Sequence, residues 1–364
     1  MKSILLFRLG GLGDLLVALP SFNLLRRAFP GARLDLVGRK DYGELLRDAG
    51  VIDAVFSADN AEWAPLFDVA QAVPESLRAR LADYDLVLGW FLQKTGTHHF
   101  LRRKSDVSPS SMGKMEPSPL SSGPSSRAFI YDPDSRLTVG RFFFDRTAEF
   151  ISGLEASSAP FEECWPLSLS ANRPAEGRSS QDVLPSAAAG APGIARGSTS
   201  AVLARGYKPR ASGEPKARPL TVVIHPGSGS PKKCWPIERF LAVMNALQND
   251  GRSGVLVTGE AEERMEAGLR GITFPAGWRW LRRPGLFELA GLLRSGALYL
   301  GNDSGVTHLA AACGAEVVAL FRKDLEAAWS PFGRAVVLSA GEAAGISVAD
   351  VLAALSRHLS RSLR

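Results

Sequence analysis

The stretch Asn302-Asp303-Ser304-Gly305-Val306-Thr307-His308-Leu309-Ala310-Ala311-Ala312, which follows the apolar run Ala297–Leu300, constrains the fold more than any other part of the chain. An apolar run, a tight polar turn and a small-residue helix together read as a strand passing into a helix at the edge of a sheet. The first amides of such a helix lack intrahelical partners and the helix dipole is positive there, so the corner suits an anion. Asp303 and His308 flank it. A second corner, Gly10-Gly11-Leu12-Gly13-Asp14, comes about 290 residues earlier, after the apolar run Ile4–Phe7. Two such corners imply an α/β protein with two Rossmann-like halves facing a central cleft.

The rest of the chain fits alternating strands and helices. Strands are predicted at 3–9, 33–37, 53–56, 85–89, 220–225, 254–258, 298–301 and 317–321. Helices are predicted at 14–29, 42–49, 141–154, 237–247, 260–269, 287–295, 307–313 and 348–359, with Pro20 falling inside the first. This alternation predicts parallel sheets covered on both faces. Two segments interrupt it. Residues 102–127 are rich in Ser, Pro, Met and Gly and read as an insertion. Residues 168–218 are Ser/Ala/Gly/Pro/Arg-rich with almost no aromatic content, too little apolar surface to offset the entropy of ordering, and read as a disordered linker. The expected organisation is an N-terminal domain at 1–167, the linker at 168–218, a C-terminal domain at 219–345 and a closing helix at 346–364. Arg357, His358 and Arg361 of that helix read as a solvated face.

The net charge of +6 does not point to nucleic acid. Residues 102–127 carry net +3 and 173–218 net +5, which leaves the remainder at −2. The excess basic charge therefore lies in the two interrupting segments. The three cysteines, Cys164, Cys234 and Cys313, are too few and too scattered for a disulfide framework, which fits a reduced, cytoplasmic protein. Arg8 and Asp14 break the N-terminal apolar stretch, so it reads as a buried strand rather than a leader. No run approaches the ~20 apolar residues of a membrane helix.

Several residues are placed where they can do chemistry. Asp14 opens a helix; it is either a helix cap or a carboxylate aimed at the carboxyl edge of the sheet, where ligands bind in open α/β folds. Gly11 and Gly13 belong to the same turn. It is not a P-loop, since no Gly-Lys-Ser/Thr follows, and it lacks the last glycine of a dinucleotide fingerprint. After strand 220–225, Gly227, Ser228 and Gly229 offer amides and Lys233 a compact positive charge to a diphosphate; the alternative for Lys232 and Lys233 is solvated surface. Trp235 reads as core. Glu263, after strand 254–258, suits ribose hydroxyls, although an exposed acidic helix face describes Glu260, Glu262, Glu263 and Glu266 equally well. No His, Cys, Asp and Glu set has metal-ligand spacing, and the adjacent His98 and His99 are assigned to a loop.

Four of these motifs, in this order, resemble those of glycosyltransferase family nine, the bacterial lipopolysaccharide heptosyltransferases. They are Ile4 to Pro20, Pro226 to Pro236, Gly259 to Arg264 and Asn302 to Ala312. The resemblance covers 1–100 and 219–335, is weak over 101–165 and is absent from 168–218. It implies the GT-B fold and an inverting, metal-independent transfer of a sugar, typically heptose from ADP-heptose, with no cofactor. The implied acceptor is the lipopolysaccharide lipid A–core, met at the cytoplasmic face of the inner membrane, where a soluble enzyme would dock transiently. On the matching positions, Asp14 is the catalytic base. Ser228, Lys233, Glu263, Asp303, Ser304, Gly305 and His308 bind the donor, and Gly11 and Gly13 form an acceptor-side loop. Val306 stands where the family often has proline. Phe321-Arg322-Lys323 replaces the family's Phe-Gly turn; arginine reaches positive φ less cheaply than glycine, which implies a rebuilt loop. The competing readings are a sugar-nucleotide-binding protein that has lost transferase activity, and an NADP-dependent oxidoreductase using Arg39 and Lys40.

Overall fold

A computed structural model describes residues 1–67, 72–92, 125–131, 137–154, 159–167, 183–184, 221–294 and 296–361. The chain forms two compact units, Met1–Asn172 with Ala327–Gly333, and Arg173–Glu326 with Arg334–Arg364.

Among the described residues, the first unit contains a parallel sheet of β1 (Ser3–Phe7), β2 (Arg33–Gly38), β3 (Ala54–Ser57), β4 (Leu86–Leu92) and β5 (Ser125–Tyr131), in the order β3-β2-β1-β4-β5. Both faces of β1 are buried: Ile4 and Leu6 point one way, Leu5 and Phe7 the other, and all four are at most 2% exposed. That is why the strand reads as a continuous apolar run rather than an alternation. Leu5 and Phe7 pack with Val37, Trp63, Leu77, Leu81 and Val87. The helix Leu12–Ala28 runs unbroken through Pro20 and packs on the helix Val139–Ser152. Phe332, from the returning segment, sits against Phe161 and Trp165 with ring centres 4.7 and 4.8 Å apart.

The second unit is built on β6 (Val183–Leu184), β7 (Val222–His225), β8 (Gly254–Thr258), β9 (Trp278–Arg282), β10 (Leu298–Asn302), β11 (Glu316–Arg322) and β12 (Ala335–Ala340), ordered β12-β11-β10-β7-β8-β9-β6. All pairs are parallel except β6 with β9. Ile224, Leu256, Leu300 and Leu320 meet Phe240 of the helix Ile237–Asn249 and Leu355 of the helix Val348–Arg361 in one core.

Several expectations change. Ser125, Ser126 and Arg127, assigned to the insertion 102–127, begin β5 and pair with Leu86, Val87 and Leu88; serines at the head of an edge strand hide its periodicity. The rest of that insertion lies outside the described residues. Within the linker 168–218, Val183 and Leu184 pair with Leu281 and Trp280 of β9; the remaining linker residues lie outside the described set. Strand β9 itself was not anticipated, because arginines alternate with its buried tryptophans. His358, read as part of a solvated face, is 4% exposed with Nδ1 2.8 Å from Glu316, because the closing helix turns that face onto the sheet. Arg322 ends β11 and the helix Lys323–Trp329 follows directly. Positive φ among described non-glycine residues occurs at Arg283, not at Arg322.

Candidate active site

In each sheet the strand order reverses direction at one place, at β1/β4 in the first and at β7/β10 in the second. Open α/β sheets bind ligands at the carboxyl end of such a switch point. Strands β7 and β10 are neighbours, with Gly301 opposite His225. Just beyond them, Asn302, fully buried, donates from Nδ2 to the Pro226 carbonyl at 2.6 Å and accepts the Trp235 N–H on Oδ1 at 3.0 Å. The Ser228 hydroxyl donates to the Asp303 carbonyl at 2.6 Å. Lys233 Nζ stands 2.8 Å from Asp303 Oδ2. Asn302 thus ties the turn after β7 to the turn after β10 and brings Ser228, Lys233 and Asp303 together.

Ser304 caps the helix Gly305–Ala312 by accepting the Thr307 N–H, and the Thr307 hydroxyl donates back to the Asn302 carbonyl. Gly305 is therefore the first residue of a well-anchored helix whose leading amides face the turn. His308, 2% exposed, lies one turn along the same helix. Trp235 is core, as expected, with its indole N–H donating to the Ile346 carbonyl at 2.9 Å.

Three of the four glutamates after β8 divide by environment. Glu263 is exposed and 3.3 Å from Arg283. Glu262 is buried: it accepts the Gly259 N–H at 2.6 Å and lies 3.7 Å from His225 Nε2. A Cβ added at Gly227 would stand 1.8 Å from Glu262 Oε1, so the turn after β7 passes this carboxylate only because residue 227 has no side chain. Glu266 is buried with Thr258 and Arg282. The charge pattern showed an acidic face but not which members turn inward; the buried pair was missed.

Burial alone would raise both buried carboxyls. Hydrogen bonds outweigh it, from His225 and Gly259 at Glu262 and from Arg282 and Thr258 at Glu266, and both are held below the ordinary value of 4.5. A carboxyl with a lowered folded-state value contributes stability above its unfolded value and loses it as pH falls through the folded one. Thermal melts taken from about pH 6 to about pH 3 should therefore fall most steeply below about 4.5, and Glu266→Gln should flatten that slope; an unchanged slope would show that Glu266 does not carry it.

In the first unit, Asp14 lies past the carboxyl end of β1. It is the third residue of its helix and not the cap: Gly11 occupies the cap position, and Asp14 Oδ2 accepts the Gly11 N–H at 2.8 Å. Gly10 takes the left-handed conformation, φ +112°, and a Cβ there would lie 2.6 Å from Asp14 Oδ2. Gly13 lies inside the first helical turn. Sequence reasoning missed Arg8. Its guanidinium is buried, donates to the Asp14 carbonyl at 2.6 Å and the Trp90 carbonyl at 3.0 Å, and stands 3.2 Å from Asp14 Oδ1. Burial pulls the Arg8 guanidinium down to about 10 and the neighbouring Asp14 works against that, so Arg8 stays charged at neutral pH. The signal was present: a charged residue directly follows an apolar strand. The Asp14 side chain keeps 27% exposure and can still reach a ligand.

Among the described residues, no group of three or more His, Cys, Asp or Glu side chains converges as a metal site, and no helix is long and apolar enough to cross a membrane. His98 and His99 lie outside the described residues.

Residues 186–347 match the family model for glycosyltransferase family 9 (heptosyltransferase). Over this stretch, which is less than half of the chain, the sequence is similar to that family. Lipopolysaccharide heptosyltransferase 3 of Escherichia coli K12 is 30% identical over 131 residues, which cover 32% of this chain and 35% of that protein. The matched stretch thus spans about a third of the curated relative's length. Solved structures extend the fold similarity over nearly the whole chain. A family 9 glycosyltransferase from Veillonella parvula has a TM-score of 0.63 at 16% identity, covering 99% of this chain and 97% of that one. E. coli ADP-heptose heptosyltransferase II has a TM-score of 0.62 at 15% identity with both chains fully covered. E. coli heptosyltransferase WaaC with ADP has a TM-score of 0.60 at 14% identity, covering 98% of this chain and 100% of that one. The fold is GT-B, with two Rossmann-like α/β units, and the stretch similar to family 9 contains Ser228, Lys233, Glu263, Asp303, Ser304, Gly305 and His308.

Proposed function

We propose that this protein is an inverting, metal-independent glycosyltransferase that moves heptose from ADP-heptose onto a lipopolysaccharide core acceptor at the cytoplasmic face of the inner membrane. The observation that carries the reading is the bracket at β7 and β10, where Asn302 holds Lys233 and Asp303 beside the start of the helix Gly305–Ala312. An ammonium and a helix start together are suited to a diphosphate. Ser228 and the amide of Gly305 line the same turn, and His308 closes its helix side. The carboxylate of Glu263 accepts from the nucleoside. Similarity to family 9, whose solved members include one with ADP, favours this ligand over a dinucleotide.

In the proposed step an acceptor hydroxyl oxygen attacks the anomeric carbon. The bond between that carbon and the diphosphate oxygen breaks, its electron pair leaves with ADP, and Asp14 takes the hydroxyl proton. Attack opposite the leaving group inverts the anomeric centre. An aspartate carboxylate is a weak base for an alcohol, so proton transfer comes late. The step then depends on stabilising the departing diphosphate, which Lys233 and the helix amides supply. Gly11 and Gly13 hold the loop that presents Asp14 to the acceptor.

Transfer measured by mass spectrometry of the core product, with ADP-heptose as donor, tests the reading. Turnover should persist in excess chelator. Lys233→Ala should weaken ADP affinity about tenfold or more by calorimetry, the loss of a charge-assisted contact. Unchanged ADP affinity would remove Lys233 from the donor site, and absence of transfer with donor bound would favour a binding protein over an enzyme.

A further inference from the structure

The turn after β7 is held from two sides. In the sheet, β7 lies between β10 and β8. From the β10 side, Asn302 takes the Pro226 carbonyl. From the β8 side, the following turn brings Glu262 against the next residue, Gly227. Two consecutive residues of the turn are therefore fixed by buried side chains from opposite neighbours.

The Glu262 side chain is 5% exposed, too little to be offered to a ligand. Its Oε2 accepts the Gly259 N–H at 2.6 Å and lies 3.7 Å from Nε2 of the buried His225, the last residue of β7. Its carboxyl end lies across Gly227: a Cβ there would stand 1.8 Å from Oε1, 2.2 Å from Cδ and 2.6 Å from Cγ. The bond to Gly259 is the reciprocal half of a capping box and concerns only the short helix Glu260–Glu262. The approaches to His225 and Gly227 go beyond a cap, because they join a different strand end and a different turn. Charge does not account for them. Against the effect of burial, its hydrogen bonds keep Glu262 ionised at neutral pH. A negative charge has the wrong sign for a diphosphate, and a buried one is little screened. What the side chain supplies is shape, filling the space that a side chain at residue 227 would otherwise take.

We propose that Glu262 is a positioning residue of the donor site: reaching from the turn after β8, it fixes the backbone at Gly227 so that Ser228 and Lys233 stay in the arrangement that receives the diphosphate. The inference rests on the donor reading above. Glu262 acts through its length and hydrogen-bonding reach, not its charge, and does not itself touch the ligand.

Calorimetry with ADP on the full chain and its variants, each checked by thermal melts, tests this. The wild type should bind ADP. Glu262→Gln keeps the length and an oxygen for the Gly259 N–H, and should stay within about threefold of the wild type. Glu262→Asp keeps the charge but is one methylene short, and should weaken ADP binding about tenfold or more. Gly227→Ala, with Glu262 in place, should also weaken it, because the added Cβ forces turn and carboxyl apart. If Glu262→Asp fails to fold, Gly227→Ala carries the comparison. The losses should persist far below each variant's melting temperature, where a protein that is merely less stable would bind ADP normally. Wild-type affinity in Glu262→Asp or in Gly227→Ala, or a loss in Glu262→Gln that Glu262→Asp does not share, would overturn the inference and leave the donor reading standing. A wild type that does not bind ADP would overturn both.

Discussion

Asp14→Asn should reduce heptose transfer by ~10²–10⁴-fold while leaving ADP affinity unchanged. The substitution is nearly isosteric, and an asparagine Oδ1 can still accept the Gly11 N–H that ends the turn at 2.8 Å. The helix start should survive, so the loss would report chemistry rather than folding. An amide cannot take the acceptor proton. Arg8 sharpens the test. It is buried, bonded to the Asp14 and Trp90 carbonyls, and paired with the carboxylate, so it fixes where that carboxylate points. Its role is positioning. Arg8→Lys keeps the charge but loses the fork that reaches both carbonyls. It should lower the turnover number more than it raises the Michaelis constant for the acceptor. Near-normal turnover in Asp14→Asn, with the variant's melting temperature unchanged, would remove Asp14 as the base.

How much of this was legible in the sequence depends on where each signal resides. Parallel strands buried on both faces show as apolar runs, which is why β1, β7, β8, β10 and β11 were readable. Strand β9 was not, because Arg279 alternates with Trp278 and Trp280, and β12 is half-buried along its length. Strand β5 starts inside a serine-rich stretch whose composition resembles a loop. At the site, the turns that carry Ser228, Lys233, Asp303 and Ser304 were visible because glycine and small polar residues cluster in sequence. The bonds that join them span more than 60 residues, such as Trp235 to Asn302, and no local pattern encodes a contact at that separation. The same reason hid Glu262 among its neighbours: periodicity gives a face, but which side of it meets Gly227 is set by the turn after β7, far earlier in the chain. Of the two readings open for Asp14, the helix cap falls, since Gly11 takes that position and Asp14 reaches back to it.

Asn302→Ala should strongly destabilise the second unit. Asn302 is fully buried and each end of its amide has one partner, the Trp235 N–H and the Pro226 carbonyl. Truncation leaves both backbone groups buried and unpaired, at about 1–3 kcal/mol each, so the total is about 2–6 kcal/mol. That loss would fall where the turn after β7 meets the turn after β10, and so on the position of Lys233 relative to Asp303. Urea unfolding should show a lower midpoint, and ADP affinity should fall with it even though Asn302 is buried beneath the turns. Asn302→Asp separates the two effects. It keeps the acceptor for Trp235 but loses the donor to Pro226, and it buries a second carboxyl beside Asp303. If stability is governed by the satisfied amide, both variants should unfold early. If the carboxyl pair dominates, Asn302→Asp should recover as pH is lowered and Asn302→Ala should not. A wild-type midpoint in Asn302→Ala would mean that the two turns are held by the Ser228 and Lys233 contacts alone, and that the amide at their centre is dispensable.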